Sequence, residues 1–118
     1  MNFLFKILVT TFAVAITSYI LPGVSVDVFT TAILVAIVLA VLNTLLKPIL
    51  IILTIPVTLF SFGLFLLVIN AFIIMLASHI VEGFKVEGFW WALAFSIILS
   101  LVTAVLESFN NKDSGGHQ

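Results

Sequence analysis

Four long apolar runs constrain this chain more than any other feature of its sequence. They cover about residues 3–21, 28–46, 63–81 and 89–106. Each is close to the roughly 20 residues that a helix needs to cross the hydrocarbon core of a bilayer. Because backbone polar groups must be satisfied within the segment itself in lipid, each run predicts a transmembrane helix. The sequence therefore predicts an all-α, polytopic membrane protein with four transmembrane helices.

The composition excludes a soluble domain. Hydrophobic residues make up 64% of the chain and charged residues 8%, and the mean hydropathy is +1.44. A soluble domain has about half its residues apolar and about a quarter charged. The four basic residues are scattered singly, which argues against nucleic acid as a partner, and the lipid bilayer is the partner expected. The absence of cysteine removes disulfides and thiolate metal sites.

The apolar sequence is interrupted in the middle of the chain, at residues 47–62. Lys47 is its only charge, Pro48 and Pro56 break it, and Gly63 follows it. This segment has too few residues to cross the membrane and return, and extending the third helix back to Pro48 would give a helix of roughly 50 Å. Two interpretations stay open: a broken helix lying in the interface, or a re-entrant element lining a pathway.

A shift of 60 residues aligns the two halves of the sequence and predicts a tandem repeat. The chain then divides into a first hairpin (1–46), the broken linker (47–62), a second hairpin (63–106) and a disordered polar tail (107–118). With two spans in each copy, the hairpins are parallel and are related by a pseudo-twofold axis along the membrane normal. The loops align as Gly23-x-x-Val26-Asp27-x-Phe29 and Gly83-x-x-Val86-Glu87-x-Phe89.

Small residues recur every four positions in the second and fourth spans, which places each set on one helical face. Small faces let helices approach closely in lipid, so the second and fourth spans are expected to pack near the centre. The predicted packing residues are Ala32, Ala36, Ala40, Ala92, Ser96 and Ser100.

Asn43 and Asn70 are the only amides within the spans, and a carboxamide in hydrocarbon needs partners. They are interpreted either as structural glue, bonded to each other or to backbone freed by the prolines, or as the polar lining of a pore or headgroup site. The full set of structural or pathway candidates is Asn43, Lys47, Pro48, Pro56, Gly63, Asn70, Gly83 and Gly88.

No pattern of residues points to catalysis. The sequence lacks a nucleophile beside a base and a glycine-rich phosphate loop, so we expect neither an enzyme nor a bound cofactor. His79 and Glu82 are three residues apart, but two ligands without a third make a weak metal signal. Lys6, near the end of its span, is the only charge in the spans, which argues against a proton-driven pump.

Lysine placement predicts the orientation. Lys6, Lys47 and Lys112 fall on one side of a four-span arrangement and Lys85 on the other, so both termini are expected in the cytoplasm. Interfacial aromatic residues agree with this, because a group of them falls on the opposite side. That group is Tyr19, Phe84, Phe89, Trp90 and Trp91.

The ordered combination of these features resembles phage holin superfamily IV, a group of four-span bacterial membrane proteins. The resemblance covers Phe3 to Leu106 and implies a bacterial inner-membrane protein that is a homo-oligomer or a subunit of a larger membrane complex. Three functions are compatible with it: a membrane scaffold or accessory subunit, an oligomeric holin-type pore, and a small lipid or solute transporter. The features that carry it are Asn43-x-x-x-Lys47-Pro48, Pro56, Gly63-Leu64-Phe65, Asn70-Ala71 and Gly83-Phe84-x-Val86-x-Gly88-Phe89 followed by Ala92.

Overall fold

The computed structural model of the protein describes residues 3–115, and it describes side chains as far as residue 109. Within these residues the chain forms six helices and two short strands. They are α1 (Phe3–Ile20), β1 (Val24–Val26), α2 (Phe29–Leu45), α3 (Lys47–Leu53), α4 (Ile55–Phe60), α5 (Phe65–Ile80), β2 (Phe84–Val86) and α6 (Phe89–Gly115).

Four of the helices correspond to the predicted spans. In the part of the chain that the structure describes, three helical segments are long and apolar enough to cross a membrane: α1, the pair α2–α3 and the first 21 residues of α6. The fourth, α5, is apolar and shorter, with 16 residues. The predicted all-α, four-span architecture is confirmed.

The four spans form a ring. α1 packs against α2 and α6, and α5 packs against the same two helices, so α1 and α5 occupy opposite corners. Across the described residues, α2 and α6 occupy the other two corners and do not approach each other directly. We call the end of the ring at the strands the ribbon end, and the end at α3 and α4 the linker end.

A two-stranded antiparallel ribbon joins the two hairpins at the ribbon end. Ser25 lies opposite Lys85 at its centre, and these two positions differ by 60, the offset of the predicted repeat. Because adjacent strands share backbone hydrogen bonds, the ribbon connects the two loops directly. The flanking pairs are Val24 with Val86 and Val26 with Phe84.

Two further backbone hydrogen bonds extend the ribbon on either side. The N–H of Asp27 donates to the carbonyl of Gly83 at 3.1 Å, and the N–H of Glu87 donates to the carbonyl of Gly23 at 2.9 Å. The donors Asp27 and Glu87 are 60 positions apart, and so are the acceptors Gly23 and Gly83. The register of the two loops therefore coincides with the predicted offset of 60 residues.

The core is apolar and is filled by two rings at the ribbon end. Phe84 and Phe95 are both buried, with ring centroids 5.5 Å apart. Three of the four buried hydroxyls among the described residues bond to the carbonyl four or three residues earlier in the same helix, as Thr17 does to Ala13 at 2.6 Å; the fourth, Thr31, bonds to Asp27. The core thus contains no titratable side chain among the described residues.

The predicted broken linker consists of two short helices. α3 continues α2 through Leu46, whose backbone is helical and whose N–H donates to Leu42 at 2.9 Å. Pro48 and Pro56 each lie in the first turn of α3 and α4, a position at which proline is tolerated. Neither α3 nor α4 has a buried residue.

The turn after α4 is a Schellman motif. The N–H of Gly63 donates to Thr58 at 2.8 Å and the N–H of Phe62 donates to Leu59 at 3.1 Å. Phe62 occupies the left-handed position that usually holds glycine, with φ +56°, and Gly63 follows with φ +88°. A bulky residue with positive φ is uncommon, and this one is 96% exposed.

α6 continues beyond Leu106 to Gly115, into the segment for which a disordered polar tail is predicted. A helix extends readily from one already begun, and disorder of the tail in solution stays a prediction. Residues 116–118 of the predicted tail lie outside the described residues.

Candidate functional site

The main cavity of the described structure lies at the linker end, between α1, α2 and α6. Its volume is about 640 Å³. This lies within the range of roughly 300–1,000 Å³ that is typical of ligand sites. The residues around it are Phe3, Lys6, Ile7 and Thr10 of α1, Ala36, Leu39, Ala40, Asn43 and Thr44 of α2, and Leu99, Ser100, Thr103, Ala104 and Glu107 of α6.

Two sides of the cavity are built from equivalent positions of the two hairpins. Four residues of α2 line it together with the four residues of α6 that lie 60 positions later. α1 completes the wall, whereas no described residue of α5 lines it, so the cavity is displaced toward α1. The equivalent pairs are Leu39 with Leu99, Ala40 with Ser100, Asn43 with Thr103, and Thr44 with Ala104.

The polarity of the lining changes with depth. Lys6 and Glu107 lie near the linker ends of their helices, whereas Ala36, Leu39 and Leu99 lie further toward the ribbon. Hydroxyl and amide side chains occupy the region between. Lys6 and Glu107 are the charged residues of this lining, and they do not form an ion pair with each other.

The small faces of α2 and α6 separate along their length. Ala32, Ala36, Ala92 and Ser96 are buried, but further toward the linker end Ala40 is half-buried and Ser100 is exposed. This differs from the expected close packing of the second and fourth spans, because α2 and α6 are opposite corners of the ring. The buried rings of Phe84 and Phe95 occupy interior space that a close helix contact would need.

The two asparagines have different surroundings. Asn43 is exposed and lines the cavity, whereas Asn70, on α5, is half-buried and does not. Neither amide is hydrogen-bonded to the other or to a backbone group freed by a proline, in the part of the chain that the structure describes. Sequence spacing placed both near the linker, but only the arrangement of the helices distinguishes them.

The remaining linker candidates lie outside the cavity. Lys47 and Pro48 begin α3, Pro56 is in the first turn of α4, and Gly63 is in the turn before α5. None of these four residues lines the cavity. The structure thus assigns them to helix ends and a turn.

The loop glycines at the ribbon end lie where a side chain would clash or where φ is positive. Gly83 has φ +91°, and a Cβ there would lie 2.5 Å from the carboxylate of Asp27. Gly23 faces the ring of Trp91, which a Cβ would meet at 2.0 Å. Gly88 also has positive φ, +151°, with open space around it. The contact of Gly23 with Trp91 was not found by sequence reasoning, although alignment of Gly23 with Gly83 was a signal.

Asp27 stabilises the start of α2. Its carboxylate accepts hydrogen bonds from the hydroxyl of Thr31 and from the N–H of Val28, the latter at 2.7 Å. These bonds, that from Thr31 first, lower the pKa of Asp27 below its ordinary value of 3.8 because they favour the charged form. No group of three or more metal-ligating side chains occurs among the described residues, and His79 and Glu82 are both exposed.

Comparisons with known proteins agree with this architecture. An uncharacterized membrane protein of Bacillus subtilis (strain 168), YvlD, is 43% identical over 77 residues, which cover 64% of this chain and 65% of that protein. An uncharacterized protein of Streptomyces coelicolor is 33% identical over 118 residues, 92% of this chain and 94% of that protein. No solved structure matches. The family profile described as "Mycobacterial 4 TMS phage holin, superfamily IV" matches residues 1–105, so the chain belongs to this family of four-span membrane proteins.

Proposed function

We propose that the protein is a membrane scaffold or accessory subunit that acts through helix packing. The observation that supports this most is an apolar elbow, formed by α3, α4 and the turn at residues 61–64, in which no residue of either helix is buried. Its most exposed large side chains are Ile52, Leu53, Leu59, Phe60, Phe62 and Leu64.

The occupant that fits this elbow is an apolar helix of a larger membrane complex. The four spans bury their shared core within the ring, and Leu50 and Ile51 of α3 pack against that core. The most exposed side chains of the elbow, those named above, are left largely uncovered. Helix association in lipid depends on packing, and an elbow held at two helix ends is a preorganised packing surface. Lipid alone and a second copy of the chain are the competing occupants.

Purification in mild detergent from the native host tests the scaffold. The wild-type protein is expected to retain one reproducible membrane partner, and the double variant Leu59→Ser/Phe60→Ser is expected to lose it. Leu101→Ser is the matched control, because Leu101 is also exposed but lies on α6. A partner-free protein, a self-associated protein, or a partner retained equally by both variants would exclude this role for the elbow.

A small lipid or solute transporter is the second candidate, and the cavity at the linker end supports it. The cavity has the position that such a transporter needs, between the two hairpins and beside Asn43. Asn43→Leu should therefore reduce transport in reconstituted vesicles, whereas Asn70→Leu should leave it unchanged. Equal effects of the two substitutions on transport would show that transport does not depend on this cavity.

An oligomeric holin-type pore has less support. Toward the ribbon end the interior is filled by Val24, Phe84 and Phe95, which are buried. A water path would then have to form between several copies of the chain. If a pore forms, controlled expression should collapse the membrane potential. Retention of the potential with abundant membrane protein would exclude it.

We propose that the protein lies in the bacterial inner membrane, as the holin family suggests, and that both termini are in the cytoplasm, as its lysines suggest. The chain has no cysteine, so single cysteines report topology without background. A membrane-impermeant maleimide should label Ser25→Cys in intact cells and Ser108→Cys only after lysis. The reverse pattern would invert the orientation.

We also propose that the two hairpins are tandem copies of one unit. The ribbon register supports this, because Ser25 and Lys85 are paired and are separated by the repeat offset. Equivalent lining of the cavity by α2 and α6 is a second support.

A further inference from the structure

We propose that the cavity at the linker end binds a phosphoethanolamine group, with Lys6 at the phosphate and Glu107 at the ammonium. This inference rests on the proposed transporter function, which uses the same cavity, and it names the class of ligand that the cavity would bind. The same chemistry is carried by the headgroup of a phosphatidylethanolamine lipid and by soluble glycerophosphoethanolamine.

The charges of the lining point to a zwitterion. One lysine and one glutamate line the cavity, so its formal charges cancel. They come from different helices, α1 and α6, and do not neutralise each other in an ion pair. An anionic headgroup bound at Lys6 would bring a negative charge near Glu107 with no positive charge on the ligand to offset that carboxylate. Juxtaposition of like charges costs several kcal/mol. A ligand with both charges satisfies both side chains.

The hydroxyls of the lining are free to bind a ligand. Elsewhere in the spans, the buried hydroxyls have partners within the protein, as Thr11 does at the carbonyl of Ile7 (2.8 Å) and Ser96 does at the carbonyl of Leu93 (2.9 Å). The side chains of Ser100 and Thr103 make no such bond within the described structure. In a largely apolar span, accessible donors without a protein partner favour a polar ligand or water.

The apolar part of the lining also fits an amphipathic molecule. Leu39 and Leu99 lie deeper than the charged residues, and the lateral walls contribute Phe3 and Ile7. Ligand sites typically combine apolar walls with a few placed polar groups. A headgroup with adjoining glycerol and methylene groups has this distribution of polarity.

Lipid retention tests the assignment. The full chain is reconstituted in vesicles of equal parts phosphatidylethanolamine and phosphatidylglycerol, extracted, and examined by native mass spectrometry. We expect the wild-type protein to retain phosphatidylethanolamine preferentially. Glu107→Gln should reduce that preference about tenfold, the effect of losing one charge-assisted hydrogen bond, and Lys6→Gln should reduce retention of phosphatidylethanolamine by a similar factor.

Matched controls remove the same charges elsewhere. Lys47→Gln removes a lysine at the linker end that does not line the cavity, and Glu82→Gln removes an exposed glutamate at the ribbon end. Both should retain the wild-type lipid ratio. Lys6→Arg keeps the charge and should preserve retention, which provides a folded comparison if Lys6→Gln is poorly produced. Wild-type preference for phosphatidylglycerol, or equal ratios in all variants, would overturn the proposal.

Two further measurements separate the possible sources and failures. Displacement of bound lipid by soluble glycerophosphoethanolamine assigns the site to the headgroup alone, whereas resistance to displacement assigns it to the intact lipid. Transbilayer movement of a fluorescent phosphatidylethanolamine in the same vesicles tests transport separately. If the protein retains phosphatidylethanolamine but does not move it across the bilayer, the transporter function is excluded and the binding site stands. If Glu107→Gln changes neither the retention nor the movement of this lipid, the binding site is excluded.

Discussion

The ribbon end and the linker end of this ring are built by the same four spans but are packed differently. At the ribbon end, strands, glycines and aromatic rings meet at short distances, as the 2.0 Å between a Cβ built at Gly23 and Trp91 illustrates. At the linker end, α1, α2 and α6 surround a cavity of about 640 Å³. The difference shows that one end holds the hairpins together while the other leaves room for a ligand.

Side-chain size accounts for the difference. Toward the ribbon, Phe84 and Phe95 fill the interior, and Ala32 and Ala92 let the helices close around them. Toward the linker, the described residues include no fully buried ring, and aliphatic, hydroxyl and amide side chains of α2 and α6 line the cavity. Well-packed interiors tolerate few voids, so the two ends should respond differently to equivalent substitutions.

The largest effect should come from removing a ring at the ribbon end. Phe95 is fully buried, and Phe95→Ala is expected to lower the free energy of unfolding by about 3–5 kcal/mol. Thermal unfolding in detergent measures this. Phe109→Ala, at a 65% exposed position on the same helix, is the control and should have little effect. Equal losses would contradict a core concentrated at the ribbon end.

Adding one carbon should distinguish two glycines. Gly23→Ala places a Cβ against Trp91 and should cost about 1–3 kcal/mol through overpacking. Gly63→Ala meets no atom, so only its positive φ is penalised, by about 1 kcal/mol. Relief of the Gly23→Ala loss by an added Trp91→Leu would identify the contact. A larger loss at Gly63 would place the steric constraint at the linker end instead.

Acid should destabilise the ribbon end through Asp27. Since the folded-state pKa of Asp27 is lowered, its contribution to stability is present above its ordinary value of 3.8 and is lost as pH falls through the folded pKa. Melting temperature should therefore fall more below about pH 4 in the wild-type protein than in Asp27→Asn. Glu87→Gln, the equivalent position in the other loop, is the control. Identical pH profiles of the melting temperature for the wild-type protein and Asp27→Asn would contradict a stabilising role of the Asp27 carboxylate.

The smallest effect should come from filling the cavity. Ser100→Leu points into open space and should change stability by less than about 0.5 kcal/mol. Ser96→Leu, one turn earlier at a buried position, should cost about 1–3 kcal/mol. The comparison uses the same substitution on the same helix. A greater loss at Ser100 would show that the linker end is closed in lipid.

The positions of the spans could be predicted because the bilayer fixes the length and polarity of a crossing helix. The boundaries of the linker helices are harder to predict from the sequence. Proline is tolerated in the first turn of a helix, so Pro48 and Pro56 begin helices where the sequence suggested a break. Likewise, a Schellman motif fixes which residue takes the left-handed conformation by its position after the helix, and this residue is Phe62.

The site was only partly predictable. An amide within a span identifies Asn43 from the sequence, but the sequence uses Lys6 for orientation and places Glu107 in the polar tail, so it does not associate the two. Their association arises from α1 packing beside α6, a contact between the first and last spans. Local sequence patterns contain no information on such a long-range contact, whereas the spacing of small residues identified the facing walls.

The central pair of the ribbon has a consequence for assembly. Two second hairpins pairing with each other in the same register would place Lys85 opposite a second Lys85, and like charges directly across a strand pair are destabilising. Pairing with the first hairpin places the neutral Ser25 there instead. The charge at this one position thus favours pairing of a second hairpin with a first hairpin and discourages pairing between the second hairpins of two neighbouring chains.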